Sequence, residues 1–198
     1  TGRFTIILYN GASLYSVGDN VARQQLTEAF SQKVGEKIDT STGAFGTSDT
    51  DLTVQGGPLP LVFTRYYNGH SDRFGTLGYR WSHSYDTYLA IQTNGSAAVV
   101  FGSGQENYFE WNSVYSTFAA SDPRIKSTLV KVTGQPYTYL YTTRSGLKYA
   151  FTAAGDLISI TDRNSQSIVL YRNGSNQLTS IVDPAGRAIT LTYDGNGR

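Results

Sequence analysis

The sequence predicts an all-β protein in which antiparallel hairpins form a curved sheet, with one short helix near the N-terminus. Three observations carry that prediction. First, the last 42 residues are written twice: residues 157–177 (LISITDRNSQSIVLYRNGSNQ) and 178–198 (LTSIVDPAGRAITLTYDGNGR) agree at seven of 21 positions. Average residue usage would give about one or two such matches. The shared pairs are Leu157/Leu178, Ser159/Ser180, Ile160/Ile181, Asp162/Asp183, Ile168/Ile189, Leu170/Leu191 and Gly174/Gly195. Second, each unit has two β-prone stretches separated and closed by polar turns, which reads as strand, turn, strand, turn. Third, 15 Tyr, 9 Phe and 21 Gly suit strands and tight turns better than helices. One hairpin per unit cannot bury its own apolar face, so the units must stack on neighbours.

The remaining composition narrows the function. A chain of 198 residues fits one all-β domain and can build a real core. Charged residues are 16% and the net charge is +1, so nothing marks a nucleic-acid or acidic-lipid partner. With no cysteine there is no disulfide framework, thiol nucleophile or cysteine metal site, unlike a typical disulfide-stapled animal extracellular domain. The longest apolar run, FTIILY, is far short of the ~20 residues of a membrane helix, so no membrane span is expected. No signal segment opens the chain at Thr1, and Arg198 follows a unit that calls for a successor. We therefore expect a piece of something longer.

Taken in order, residues 4–9 read as a strand ended by Asn10-Gly11. Over 20–34 the period changes: Ala22, Leu26, Ala29, Phe30 and Val34 fall on one helical face, with Asp19 or Asn20 placed to cap and Gly35 to end it. Residues 39–60 are rich in Gly, Ser, Thr and Asp and read as a linker or irregular loop, with a strand at 51–55. Strands are expected at 61–67, 79–91, 97–101, 106–111, 125–133 and 137–143, several separated by Asn-Gly or Gly-rich turns. Weaker copies of the repeat reach back through Gly146, Tyr149, Phe151 and Gly155, so the array grows more regular toward the C-terminus. The expected organisation is a strand-and-helix cap over 1–38, an irregular antiparallel region over 39–144, and 21-residue repeats over 145–198.

Candidate chemistry was weighed against packing. Ser82, His83, Ser84 and Asp86 together invite a hydrolase reading, but consecutive strand residues alternate faces and no nucleophile elbow exists. His70 and His83 are the only histidines and join no metal-ligand cluster. Neither a phosphate-binding loop nor a dinucleotide fingerprint is present, so no catalytic residue, metal or cofactor is expected. Asp183-Pro184 looks like a scission site, yet Asp162-Arg163 holds the same repeat position, which points to turn geometry. Tyr85, Tyr88, Tyr137, Tyr139, Tyr141, Tyr149 and Phe151 could form a sugar-binding platform; at alternating spacing they more often pack a sheet.

The most distinctive stretches are DTSTGAF (39–45), TDLTVQGGPLPLVFTRYYN (50–68) and LGYRWSHSYD (77–86). They resemble the opening of bacterial Rhs (YD-repeat) proteins, and the 21-residue units resemble YD repeats. The Y-D-x-x-G-R ending is complete only at Tyr193, Asp194 and Arg198; the first unit has Tyr171-Arg172-Asn173-Gly174. The resemblance spans residues 35–198. On it, Pro58, Pro60, Arg65, Tyr66, Tyr67, Trp81, His83, Tyr85 and Asp86 are structural motif positions. The repeat positions are Leu157, Ile160, Asp162, Ile168, Leu170, Gly174, Leu178, Ile181, Asp183, Ile189, Leu191, Tyr193, Asp194 and Gly195. Of these, Asp162, Asp183, Gly174 and Gly195 are expected to hold the period at turns.

The resemblance implies a strip of hairpins that spirals into a hollow shell, shared with insecticidal toxin complexes and teneurins. In bacterial members the shell encloses a variable C-terminal toxin. The expectation is a non-enzymatic start of such a shell in a secreted or surface bacterial protein. Its partners would be further YD repeats of its own chain and an enclosed toxin. The alternative is a carbohydrate-binding or adhesin-like domain that meets surface glycans through exposed Tyr and Trp. An open sheet edge is expected to self-associate or to be covered by residues 1–34.

Overall fold

The computed structural model describes residues 33–34, 38–39, 45–55, 57 and 59–195. The predicted N-terminal strand and most of the predicted helix lie outside those residues. Lys33–Val34 (β1) pairs with Ile38–Asp39 (β2) as a short antiparallel ladder. Everything else described is antiparallel β-structure in order of sequence. An opening group comprises β3 (Gly46–Val54), β4 (Leu61–Asn68), β5 (Phe74–Gly75), β6 (Gly78–Tyr79) and β7 (Trp81–His83). In it β4 lies between β3 and β7, and β5 pairs with β6. A four-stranded meander follows: β8 (Tyr88–Ile91), β9 (Ala97–Val100), β10 (Glu106–Asn112) and β11 (Thr117–Ala120). A seven-stranded meander completes the fold: β12 (Thr128–Lys131), β13 (Tyr139–Thr142), β14 (Lys148–Phe151), β15 (Leu157–Thr161), β16 (Ser167–Arg172), β17 (Leu178–Val182) and β18 (Ala188–Thr190).

One turn geometry builds both meanders. At 92–96, 101–105, 143–147, 152–156, 162–166, 173–177 and 183–187 the first residue's N–H donates to the fifth residue's carbonyl, at 2.8–2.9 Å. The fourth residue donates back to the first residue's carbonyl and takes a positive φ: Gly95, Gly104, Gly146, Gly155, Ser165, Asn176 and Gly186. This is the three-residue hairpin loop, a type I turn followed by a left-handed residue. In the repeats a side chain reinforces it. Oδ1 of Asp162, Asn173 and Asp183 each accepts two backbone N–H bonds from its own turn, at 2.8–3.0 Å. Gly174 and Gly195 do not carry the positive φ; in the first unit it falls on Ser165 and Asn176.

The repeat also fixes a bulge. Between β14 and β15 the register slips from Ala150↔Ser159 to Phe151↔Leu157, and 21 residues later from Tyr171↔Ser180 to Arg172↔Leu178. The extra residue turns Leu157 and Ile160, three apart, toward the same face, where strict alternation would oppose them. Leu157, Ile160, Ile168, Leu170, Leu178 and Ile181 are all buried in the core. They meet Leu61, Tyr85, Leu89, Val99, Phe109, Leu129, Tyr139, Tyr141 and Phe151 in a single cluster.

Three sequence expectations are corrected. Residues 46–54 form a nine-residue strand rather than a loop with a strand at 51–55. Its polar residues are tolerated because it is a largely exposed edge that pairs with β4 over its whole length. The strand predicted over 79–91 breaks twice, at Arg80, whose φ is 66°, and at the turn joining β7 to β8. β11 had no counterpart in the sequence reading; its four residues follow an exposed turn in which Asn112 Oδ1 accepts from Val114 and Tyr115 N–H.

Two glycines separate backbone strain from backbone contact. Gly155 has φ 94°, and an added Cβ would overlap the Leu89 carbonyl oxygen; Leu89 N–H donates to the Gly155 carbonyl at 2.8 Å. Gly186 has φ 79° with nothing near its Cβ position. Gly186→Ala should therefore cost about 1–2 kcal/mol, the left-handed penalty alone. Gly155→Ala should cost clearly more, because β8 must also move away from the turn. Urea unfolding of the two variants checks this, and equal losses would refute it.

Candidate functional site

The residues singled out in the opening stretch gather where the opening strands meet the two meanders. Pairing of β4 with β7 sets Arg65 opposite His83, Tyr66 opposite Ser82 and Tyr67 opposite Trp81. Arg65 holds Asp51 with a two-pronged contact (Nε–Oδ2 2.5 Å, Nη2–Oδ1 2.8 Å) and lies 5.6 Å from the Trp81 ring centre. The β-bulge at Asp51 brings that carboxylate beside Arg65. Tyr67 packs edge-on to Trp81, at 5.2 Å between centroids, and against Phe45 at 5.9 Å. Pro60 is exposed just before β4, and Pro58 lies outside the described residues.

His83 is fully buried and stacks on Phe63 at 4.9 Å. Its Nδ1 accepts the Tyr85 N–H at 3.2 Å, so the proton of the neutral ring sits on Nε2. That nitrogen is 3.2 Å from Asp86 Oδ1, off the line of a good hydrogen bond, while Asp86 Oδ2 accepts the His83 N–H. The Tyr85 hydroxyl accepts the Val62 N–H at 3.2 Å, tying the same turn back to β4. Burial pushes the His83 imidazole below its ordinary value; Asp86 pulls it up, and Arg73 and Arg172 push it down again.

The serines beside His83 are committed elsewhere. Ser82 Oγ donates to the Gly102 carbonyl at 2.5 Å, and Ser84 Oγ accepts the Thr64 N–H at 2.8 Å. Alternation along β7 also turns Ser82 to the face opposite His83. A hydrolase arrangement needed a histidine facing both a nucleophile and a carboxylate. His83 faces its own turn and Phe63 instead, and His70 is exposed with its N–H on Asn68 Oδ1. Gly102 explains why the joint is tight, since a Cβ there would overlap the His83 carbonyl oxygen. Among the described residues no three His, Asp or Glu side chains gather to hold a metal.

The rings considered for sugar binding divide by face. Tyr85, Tyr139, Tyr141 and Phe151 are buried, and Phe101, Tyr141 and Tyr149 meet edge to face at 5.7–5.9 Å. The exposed rings are Phe45, Phe74, Tyr79, Tyr115 and Tyr171, of which only Phe74 and Tyr79 contact each other.

The repeat positions reach the same joint from the other side. Asp183 is buried; burial pushes its carboxyl up, but Arg187 and two backbone amides outweigh that and hold it below the usual range. Arg187 Nη1 donates to the Gln55 carbonyl, across 132 residues of chain. The Tyr193 hydroxyl donates to the Leu178 carbonyl, at the repeat bulge, at 2.6 Å. Sequence reading missed Arg187, and it took Gly102 and Gly155 as turn and repeat positions without their tertiary contacts. The D-x-x-G-R pattern shared by 183–187 and 194–198 was the available signal for Arg187; the two glycines gave none, since a tertiary carbonyl defines them.

His83 gives the joint a pH dependence whose sign is fixed. Because its folded-state value is lowered, the unfolded chain binds the proton more readily, and stability falls as pH drops below about 6.5. The slope cannot exceed about 1.4 kcal/mol per pH unit, one proton's worth. Urea midpoints between pH 7.5 and 5 should decline, and His83→Gln should flatten the decline. A wild-type midpoint constant across that range would refute it.

Comparison with known proteins agrees with this architecture. A family described as a domain of unknown function (DUF6531) matches residues 35–109, and the RHS Repeat family matches residues 172–198. The chain is similar to Double-stranded DNA deaminase toxin A of Burkholderia cenocepacia (strain H111), 36% identical over 69 residues. That alignment covers 35% of this chain and only 5% of the relative. The opening motif, the 21-residue hairpin unit and these matches converge and support an Rhs (YD-repeat) protein.

Proposed function

We propose that this segment is the N-terminal start of a β-shell in a secreted or surface-exposed bacterial protein, a scaffold that encloses a toxin carried further along the same chain. The observation that carries the reading is the one-way growth of the sheet. From β12 to β18 each strand pairs with its sequence neighbour, and the unit that adds two strands repeats its bulge and its turns. Leu61 and Tyr85 of the opening motif share one core with the repeat strands, while β18 pairs among the described residues with β17 alone. The opening motif thus acts as a seal and β18 as a growing edge.

The relative's name, a double-stranded DNA deaminase toxin, supports a toxin setting. The alignment reaches only 5% of that protein, so its deaminase activity is not carried over to this chain. In this reading residues 39–144 are the seal, 145–198 open the array, and 1–38 cover an edge. The glycan-binding alternative has weaker support, because the alternating tyrosines face the core.

Electron cryomicroscopy of the longer protein that contains this segment tests the proposal. The expected result is a closed hollow wall with the opening motif at one end and β18 hydrogen-bonded to a following hairpin. A free-standing domain whose β18 edge stays unpaired would overturn it.

A further inference from the structure

The turn at 183–187 is fastened to a distant part of the chain. Asp183 Oδ1 accepts the N–H of Ala185 (3.0 Å) and of Arg187 (2.8 Å), while Oδ2 accepts Arg187 Nε at 2.7 Å and lies 2.5 Å from Nη2. A buried carboxylate needs a paired cation, so Arg187 cannot swing out without leaving Asp183 uncompensated. The planar guanidinium, held on two nitrogens, then aims its third at the Gln55 carbonyl. The receiving side is backbone. A Cβ on Gly57 would sit 2.8 Å from Arg187 Nη2, closer than such atoms approach, so glycine leaves the room. In the first unit, Asp162 caps its turn in the same way, but the fifth residue is Gln166, and the turn's one arginine, Arg163, stands at the second position and lies against Gly146. The two units share a turn and differ in reach.

We propose that residues 55–57 are a docking seat for the arginine of a D-x-x-G-R turn, and that the Asp183–Arg187 pair is the latch that sets which repeat unit sits on the opening motif. The partner is this chain's own array. An array displaced by one unit would offer the seat Gln166, which brings neither charge nor fork. This inference rests on the reading of the chain as the start of a repeat array.

Amide hydrogen exchange on the whole chain tests the latch. With Arg187→Gln, residues 52–61 and 183–190 should exchange roughly ten- to a hundredfold faster while 139–172 keep their rates. Gly57→Val, which blocks the seat with Arg187 intact, should give the same two-segment pattern, and Gly57→Ala a milder one. Acceleration of 183–190 without 52–61 would overturn the latch, because Arg187 would then serve only its own turn. Uniform acceleration that includes 139–172, or no change, would overturn it as well. The same variants in the longer protein separate this inference from the shell: a wall that still forms with β18 paired, but without the two-segment effect, refutes the latch alone.

Discussion

A backbone constraint underlies the array: seven turns in the two meanders, including every one from β13 to β18, place their fourth residue in the left-handed region. That residue lets the loop close over three residues and gives the flanking strands the twist they need to continue a curved sheet. The Asp or Asn at the first turn position gathers two amides that the chain reversal would otherwise leave unpaired. The side chain and the fourth residue therefore select the same conformation. Because the turns are local and the strands pair in order, the long-range contacts are those that join the sheet to the opening motif.

Those long-range contacts use backbone more than chemistry. Gly102 lies on the His83 carbonyl, Gly155 on the Leu89 carbonyl, and Gly57 beside the Arg187 guanidinium. At each point one segment comes so close to another that a methyl group would separate them. This explains why the residues that look catalytic are not arranged for catalysis. His83, Ser82, Ser84 and Asp86 sit at the closest approach, where a polar side chain can satisfy backbone groups in a space too narrow for water. A polar cluster of this kind makes the joint specific, since any shift leaves several buried groups unpaired.

What could be read from the sequence follows from the range of each interaction. Hairpins, unit length and the buried positions Leu157, Ile160, Ile168, Leu170, Leu178 and Ile181 were legible, because period and apolarity are local. The bulge was not read, although the spacing of three between Leu157 and Ile160 encodes it. Ser165 and Asn176 hid the left-handed positions because glycine is the usual marker, and Gly174 drew attention to the wrong place in its turn. β3 was hidden by its composition: an exposed edge needs no apolar residues, so Thr, Ser and Asp there resemble a loop. Arg80 broke a promising strand by a single positive φ that its identity does not announce.

The same local text can have different tertiary meaning. Residues 183–187 and 194–198 both read D-x-x-G-R. The turn at 183–187 meets Gln55 and Gly57, whereas at the other end of the strands Asn176 Nδ2 reaches Asp156 Oδ1 at 3.0 Å, turn to turn within the array. Turn conformation is therefore set by the five residues themselves, while the partner of the arginine is set by what lies beside that end of the sheet. A repeat built this way can be copied many times without change in its local fold. It acquires a distinct role wherever a non-repeated segment, such as the opening motif, supplies an acceptor.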